Sequence, residues 1–154
     1  MKRATPLSVA LQGGGAHGAY TWGVLDRLLE VGRVEIRGIT GTSAGALNAV
    51  ALADGLARGG PEQARERLAA VWTQVGEHGT SDWLVSGSSE SPSLSTTAKL
   101  AMKMVSSMSP AQLNPLGIDP LGDALDDNID FERLRAAAAP RIAIAATHAN
   151  SGRL

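Results

Sequence analysis

The sequence predicts an α/β protein built on a parallel sheet, and three observations carry that prediction. Short apolar runs of strand length alternate with longer stretches of helical periodicity, in the order strand, helix, strand, helix from residue 7 to residue 58. Each of the first two strand-like runs leads into glycines, Gly13-Gly14-Gly15 after the first and Gly41 and Gly45 after the second, where a chain must turn sharply. A helical crossover between consecutive strands makes them parallel.

The elements follow in order. Leu7–Gln12 is a short, mostly apolar run that fits a buried strand. In Ala19–Val31 the residues Val24, Leu25, Leu28 and Leu29 recur at helical spacing, charged residues fall between them, and Gly32 stops the helix. Val34–Thr40 reads as a second strand, and Gly45–Arg58 as an Ala/Leu-rich helix closed by Gly59 and Gly60. Pro61–Val75 begins with Pro in its first turn, and its apolar face of Ala64, Leu68, Val71, Trp72 and Val75 is expected to cover the sheet. From Gly76 to Pro110 the composition turns to Ser, Gly, Thr and Pro, an excursion from the core. Within it Leu100–Met108, with Met102 and Met104 beside Lys99 and Lys103, reads as a helix packed at the sheet edge or as a flap that meets lipid. Asp119–Ala139 is predicted to be helical through Leu121, Leu125, Ile129 and Leu134. Pro140 ends it ahead of a third strand, Arg141–Thr147.

Composition bounds the function. The 154 residues are 44% hydrophobic and carry 14 Lys plus Arg against 15 Asp plus Glu, a net charge of -1 with no basic block, so nucleic acid is not an expected partner. The chain has no Cys, and His17, His78 and His148 lie too far apart to form a metal motif. No apolar run approaches the roughly 20 residues that cross a bilayer, and Leu7–Leu11 is too short for a signal-peptide core. The default expectation is a cytoplasmic protein that meets membranes only peripherally. A chain of this length can bury roughly 68–70% of its unfolded surface. That is enough for one domain over residues 1–154, with its Ser-rich excursion over residues 79–110. Three strands are few for a parallel sheet, and the third lies close to Leu154, so the expectation is the N-terminal part of a longer domain.

The sharpest chemical signal is Gly41-Thr42-Ser43-Ala44-Gly45 at a strand-to-helix junction. A nucleophile elbow needs a tight turn that pushes the Ser side chain into the open, and glycines two residues to either side remove the atoms that would collide there. The competing reading is a tight turn with Ser43 capping the helix. The second signal is Gly13-Gly14-Gly15-Ala16-His17-Gly18, in which Gly13, Gly15 and Gly18 also satisfy the Gly-X-Gly-X-X-Gly pattern of dinucleotide folds. That fold wants an acid near the end of the second strand, whereas the one acid of that strand, Glu35, lies near its start. The other use of the loop is an oxyanion hole, whose backbone N–H groups face the oxygen that turns negative during acyl transfer. Parallel neighbouring strands would bring loop and Ser43 to one sheet edge. A Ser-Asp-His order is also available through His148, with Asp123, Asp126, Asp127 or Asp130 between.

The two glycine motifs, in this order and spacing, together with Asp119-Pro120-Leu121 leading to Asp130-Phe131, resemble the patatin-like phospholipase family from Leu7 to the C-terminus. The resemblance implies a three-layer α/β/α sandwich with a mainly parallel sheet. It also implies a serine lipid acyl hydrolase acting on phospholipids or other lipid esters, with no metal or cofactor. It assigns the nucleophile to Ser43 and the oxyanion hole to the amides of Gly13, Gly14, Gly15 and Ala16. Two departures stand out. His17 occupies a position where the family often has Arg or Lys, and the Asp-Gly-Gly or Asp-Gly-Ala motif that supplies the family's dyad Asp is absent. The expectation is a catalytic Asp beyond residue 154, no activity from these 154 residues alone, and the C-terminal part of the same protein as a partner. A lipid- or protein-binding remnant without catalysis is the alternative.

Overall fold

The computed structural model describes residues 4–78, 85–88, 91–94, 96, 103, 119–137, 140–148 and 151–153. Strand β1 (Thr5–Leu11) is followed by a single turn of 3-10 helix, Gly15–His17, and by helix α1 (Gly18–Val31). Strand β2 (Val34–Thr42) then runs parallel to β1, with Leu11 opposite Gly41 at the far end of the pair. β1 shows the period of two expected of a strand with one covered face, Leu7, Val9 and Leu11 being less exposed than Ser8 and Ala10. In β2 the buried residues Ile36 and Ile39 are three apart rather than two. The register explains this: Leu7 lies opposite Ile36 and Ser8 opposite Gly38, so Arg37 is an extra residue that flips the strand's alternation.

Helices α2 (Ala44–Gly59) and α3 (Pro61–His78) follow, and strand β5 (Arg141–Ala145) returns beside β2, also parallel, to give the order β1-β2-β5. Both crossovers step in the same direction across the sheet, and right-handed connections then place their helices on one face. There Ile36, Ile39 and Leu11 meet Leu52 and Ala53 of α2 and Leu25 and Leu29 of α1 in one buried cluster. The opposite face, with Thr40, Thr42 and Ala143, is exposed. The fold is thus α/β on a parallel sheet, with one helical layer among the described residues.

Several boundaries differ from the sequence expectation. β2 runs two residues further, to Thr42, directly against Ser43, and α3 continues to His78. The apolar face of α3 does not lie on the sheet. Its main contacts are with α2, α1 and the later helix α4 (Pro120–Asn128), because α2 itself covers the strands and lets α3 approach closely at Gly55, where an added β-carbon would meet the Ala64 backbone. In α1, Leu25 and Leu29 are buried as expected, while Val24 and Tyr20 face outward. The excursion contains an antiparallel pair, β3 (Val85–Ser88) and β4 (Ser91–Leu94), which its Ser- and Gly-rich composition did not suggest. The Met-containing stretch 100–108 lies outside the described residues apart from Lys103.

The predicted helix over Asp119–Ala139 is two helices, α4 (Pro120–Asn128) and α5 (Phe131–Ala136). The chain is extended at Ile129, and Asp130 caps the new helix by accepting a hydrogen bond from the Arg133 N–H. Ile129 is buried in the main cluster, so the apolar period that suggested one helix was real while the backbone between its two halves is not helical. Buried Asp54 of α2 pairs with Arg58 and accepts the Asp130 N–H, which ties the break between α4 and α5 to the core.

Candidate active site

The glycine loop and the Gly-X-Ser-X-Gly turn meet at the C-terminal edge of the β1-β2 pair. Ser43 stands at the junction of β2 and α2 with φ 53° and ψ -124°, the one non-glycine residue with positive φ among the described residues. A β-carbon in such a region costs about 1–3 kcal/mol and persists only when the surroundings impose it. They do so here. Leu11 is registered opposite Gly41, and a β-carbon added at Gly45 would lie 2.0 Å from the Leu11 carbonyl oxygen and 2.9 Å from that of Gln12. One added at Gly41 would lie 2.4 Å from the Gly45 carbonyl oxygen. With no side chain at either position, β1, β2 and the first turn of α2 close on one another and leave Ser43 as the exposed apex.

The Ser43 carbonyl oxygen accepts from the Ala46 and Leu47 amides, at 2.7 and 3.2 Å, so the helix begins there. Its side chain makes no capping hydrogen bond, which removes the reading of Ser43 as an N-cap that spends its hydroxyl on its own helix. The loop lies alongside. A β-carbon at Gly13 would be 3.1 Å from the Ser43 β-carbon and 2.9 Å from the Thr42 carbonyl oxygen. Gly15 has φ 58°, and Gly14 to Ala16 are exposed. His17 closes the turn: its amide donates to the Gly14 carbonyl at 3.2 Å and its ring Nδ1 lies 3.0 Å from the same oxygen. A carbonyl only accepts, so the Nδ1 proton is committed to the loop.

The electrostatics of this edge follow from backbone. The N-termini of α1 and α2 both open onto it, and neither helix has an acid in its first turn or a side-chain cap. The Gly18 amide is paired within the 3-10 turn, so the first amides of α2 and the partial positive charge of the helix ends are what favour an anion there. Beside Ser43 lies a cavity of about 470 Å³ lined by Gly15, Ala16, Ser43, Ala44, Leu47, Trp72, Val75 and Leu121. Its walls are almost wholly apolar, and no carboxylate or imidazole lines it among the described residues.

The other candidates lie elsewhere. His148 follows β5, where Ala145 pairs with Thr42, and is exposed with its Nδ1 2.9 Å from the Ser151 hydroxyl. None of the carboxylates proposed to accompany it is bonded to it among the described residues. Asp130 caps α5, Asp127 accepts from Gln74, and Asp123 and Asp126 are exposed on α4. The Asp130 carboxyl is held below its ordinary value because it accepts the Arg133 N–H and lies near the Arg133 and Arg58 charges, against a smaller opposing effect of burial. Among the described residues no group of three His, Asp or Glu could hold a metal, and no helix is long and apolar enough to cross a membrane.

Two site features escaped the sequence reading. Leu47 and Leu121 as cavity walls carried no signal, since helical Leu reads as core. Asn48 did carry one: it interrupts an Ala- and Leu-rich helix on the side of Ala44 and Leu52, both buried, and a polar group at such a position must find partners inside.

No curated protein and no solved structure matches the chain significantly. The sequence profile described as Patatin-like phospholipase matches residues 9–149, from the middle of β1 to just past β5, and so spans the glycine loop, the elbow and every element that positions them. On that match the chain belongs to the patatin-like phospholipase family.

Proposed function

We propose that this chain carries the nucleophile and the oxyanion hole of a serine lipid acyl hydrolase. One observation carries the proposal: Ser43 is held exposed in a strained conformation, its hydroxyl unused by its own helix, between the glycine loop and an apolar cavity. In this reading an acyl chain occupies the cavity against Leu47, Trp72, Val75 and Leu121, which brings its ester carbonyl to Ser43. The Ser43 hydroxyl oxygen bonds to the carbonyl carbon as its proton passes to the general base, and the carbonyl oxygen takes the negative charge. Amides of the Gly13–Ala16 loop and of Ala44, the residue after the nucleophile, donate to it. Collapse breaks the bond to the alkoxide, which takes that proton back from the base and leaves as the alcohol; water, losing a proton to the same base, then displaces Ser43 from the acyl group, which releases the carboxylic acid and restores the hydroxyl. The two acid-free helix N-termini favour the same charge.

The base is a separate matter. The family resemblance implies an Asp from an Asp-Gly-Gly or Asp-Gly-Ala motif, and the cavity is lined by no carboxylate among the described residues, so the reading requires that group from elsewhere in the protein. The test uses the protein expressed from its natural gene, treated with a fluorophosphonate that reacts with activated serines. Labelling and hydrolysis of phospholipid or acylglycerol esters, both falling on the order of 10³-fold or more in Ser43→Ala, support the reading. A folded parent protein that neither labels nor hydrolyses these esters overturns it in favour of a binding remnant.

A further inference from the structure

The fully buried side chain of Asn48 joins the three elements that form the candidate site. Its Nδ2 donates to the Gly18 carbonyl at 2.9 Å, where the glycine loop becomes α1, and its Oδ1 accepts from the Trp72 indole N–H at 2.8 Å, on α3. Asn48 itself sits four residues after Ala44 on α2, so it projects on the same side of the helix as the residue that follows Ser43. The packing around this amide leaves no slack. A β-carbon at Gly18 would fall 2.5 Å from the Trp72 ring and 2.7 Å from the Ala44 β-carbon, so the start of α1 lies flush against both.

The loop is therefore held at two ends by different means. Its beginning follows β1, whose register with β2 sets Leu11 opposite Gly41. Its end is held by the Asn48 amide, the one side chain hydrogen-bonded to Gly18 among the described residues. Between them, the His17 contacts to the Gly14 carbonyl close the turn internally and do not reach α2. Resting on the acyl-hydrolase reading above, we infer that Asn48 is a positioning residue: it fixes the loop amides relative to Ser43, and through Trp72 it links them to the wall of the acyl cavity. A displacement of about 1 Å in such donors is worth about a hundredfold in rate. Asn48 touches no reacting atom, so its effect belongs on kcat rather than on KM.

A buried amide also stabilises, and the experiment separates the two roles. Asn48→Asp, assayed at a pH where its carboxyl is ionised, replaces the donor to Gly18 by an acceptor and keeps the acceptor for Trp72. The double variant Asn48→Leu with Trp72→Phe removes both members of the buried polar pair, so neither is left unpartnered, and it is compared with Trp72→Phe alone, which deletes the same ring atoms beside Gly18 and at the cavity wall but keeps the Asn48 bond to Gly18. Gly18 keeps its own helical acceptor role there. Each is made in the protein expressed from its natural gene, and turnover of a short-chain chromogenic ester is normalised to the Ser43 sites titrated by exhaustive fluorophosphonate labelling. The expected result is a roughly 10- to 100-fold lower kcat per titrated site, with KM within about twofold, for Asn48→Asp against the parent and for the double variant against Trp72→Phe alone. A double variant with the turnover of Trp72→Phe alone overturns the inference. Should Asn48→Asp fail to fold, the double variant decides alone. Turnover per site within twofold of the parent in folded Asn48→Asp also overturns the inference, and either result leaves the acyl-hydrolase reading standing. A parent protein whose Ser43 never labels overturns both.

Discussion

Among the described residues, four helix N-termini fall into two contrasting pairs. At α4 and α5 the cap residue is an Asp whose carboxylate accepts an amide of the first turn, Gly122 for Asp119 and Arg133 for Asp130, and each helix has a further acid in that turn, Asp123 and Glu132. At α2 the cap position is Ser43, in a strained conformation with its side chain unbonded, and the first turn has no acid. α1 is alike in lacking both. The first pair satisfies its own unpaired amides and neutralises its own dipole. The second pair has no side chain that does either, the Gly18 amide of α1 being paired only within its own 3-10 turn, and both helices start beside Ser43 and the glycine loop. Stability has been taken at one pair of helices and withheld at the other, although Leu121 of α4 lines the same cavity as Ser43.

The contrast can be broken by substitution. The largest effect is expected from Gly45→Ala, whose β-carbon would collide with the backbone of β1; the loss should be about 3 kcal/mol or more, read by denaturant titration, with accumulation of folded protein reduced. An unchanged midpoint would mean that the elbow is far looser than its geometry indicates. Ser43→Gly runs in the opposite direction. It relieves the positive φ, and after the cost of added chain freedom it should stabilise by about 1 kcal/mol while abolishing fluorophosphonate labelling. A destabilised Ser43→Gly protein would show that the turn carries no strain. At the capped pair, Asp119→Ala removes a working cap and should cost about 1 kcal/mol of thermal stability.

The smallest effect concerns acid. Because the Asp130 carboxyl titrates below its unfolded-state value, held there first by the Arg133 amide, its stabilisation of α5 is complete above the ordinary Asp range near ~3.9 and is lost as pH falls through the lower folded value. Amide exchange of Arg133, corrected for intrinsic rates, should be flat from pH 7 to pH 5 and should accelerate only below about pH 4. Acceleration that began near neutrality would require another group.

How much was legible beforehand depends on the range of the interaction. Strands, helices and the elbow were readable because each is written locally: Gly41 and Gly45 flank Ser43, and the apolar spacing of α1 places Leu25 and Leu29 on one side. The break between α4 and α5 was legible only in part, since Asp130 is a good cap while Ile129 keeps the helical period of its neighbours. Arg37 as an extra residue in β2 was hidden, because register is a property of two strands and not of one.

The amino-acid order by itself determined the α/β class, the parallel relation of the first two strands and the two motifs that identify the family, since glycine spacing and hydrophobic period act within a few residues. Only the tertiary structure decided that α3 packs on α2 rather than on the sheet, that Trp72 turns its ring to the cavity and its N–H to Asn48, and that two helix N-termini converge uncapped on Ser43. Those outcomes depend on contacts between residues far apart in sequence, such as Gly18 with Asn48 and Asn48 with Trp72, and the free energy of such contacts exists only once the backbone has brought them together.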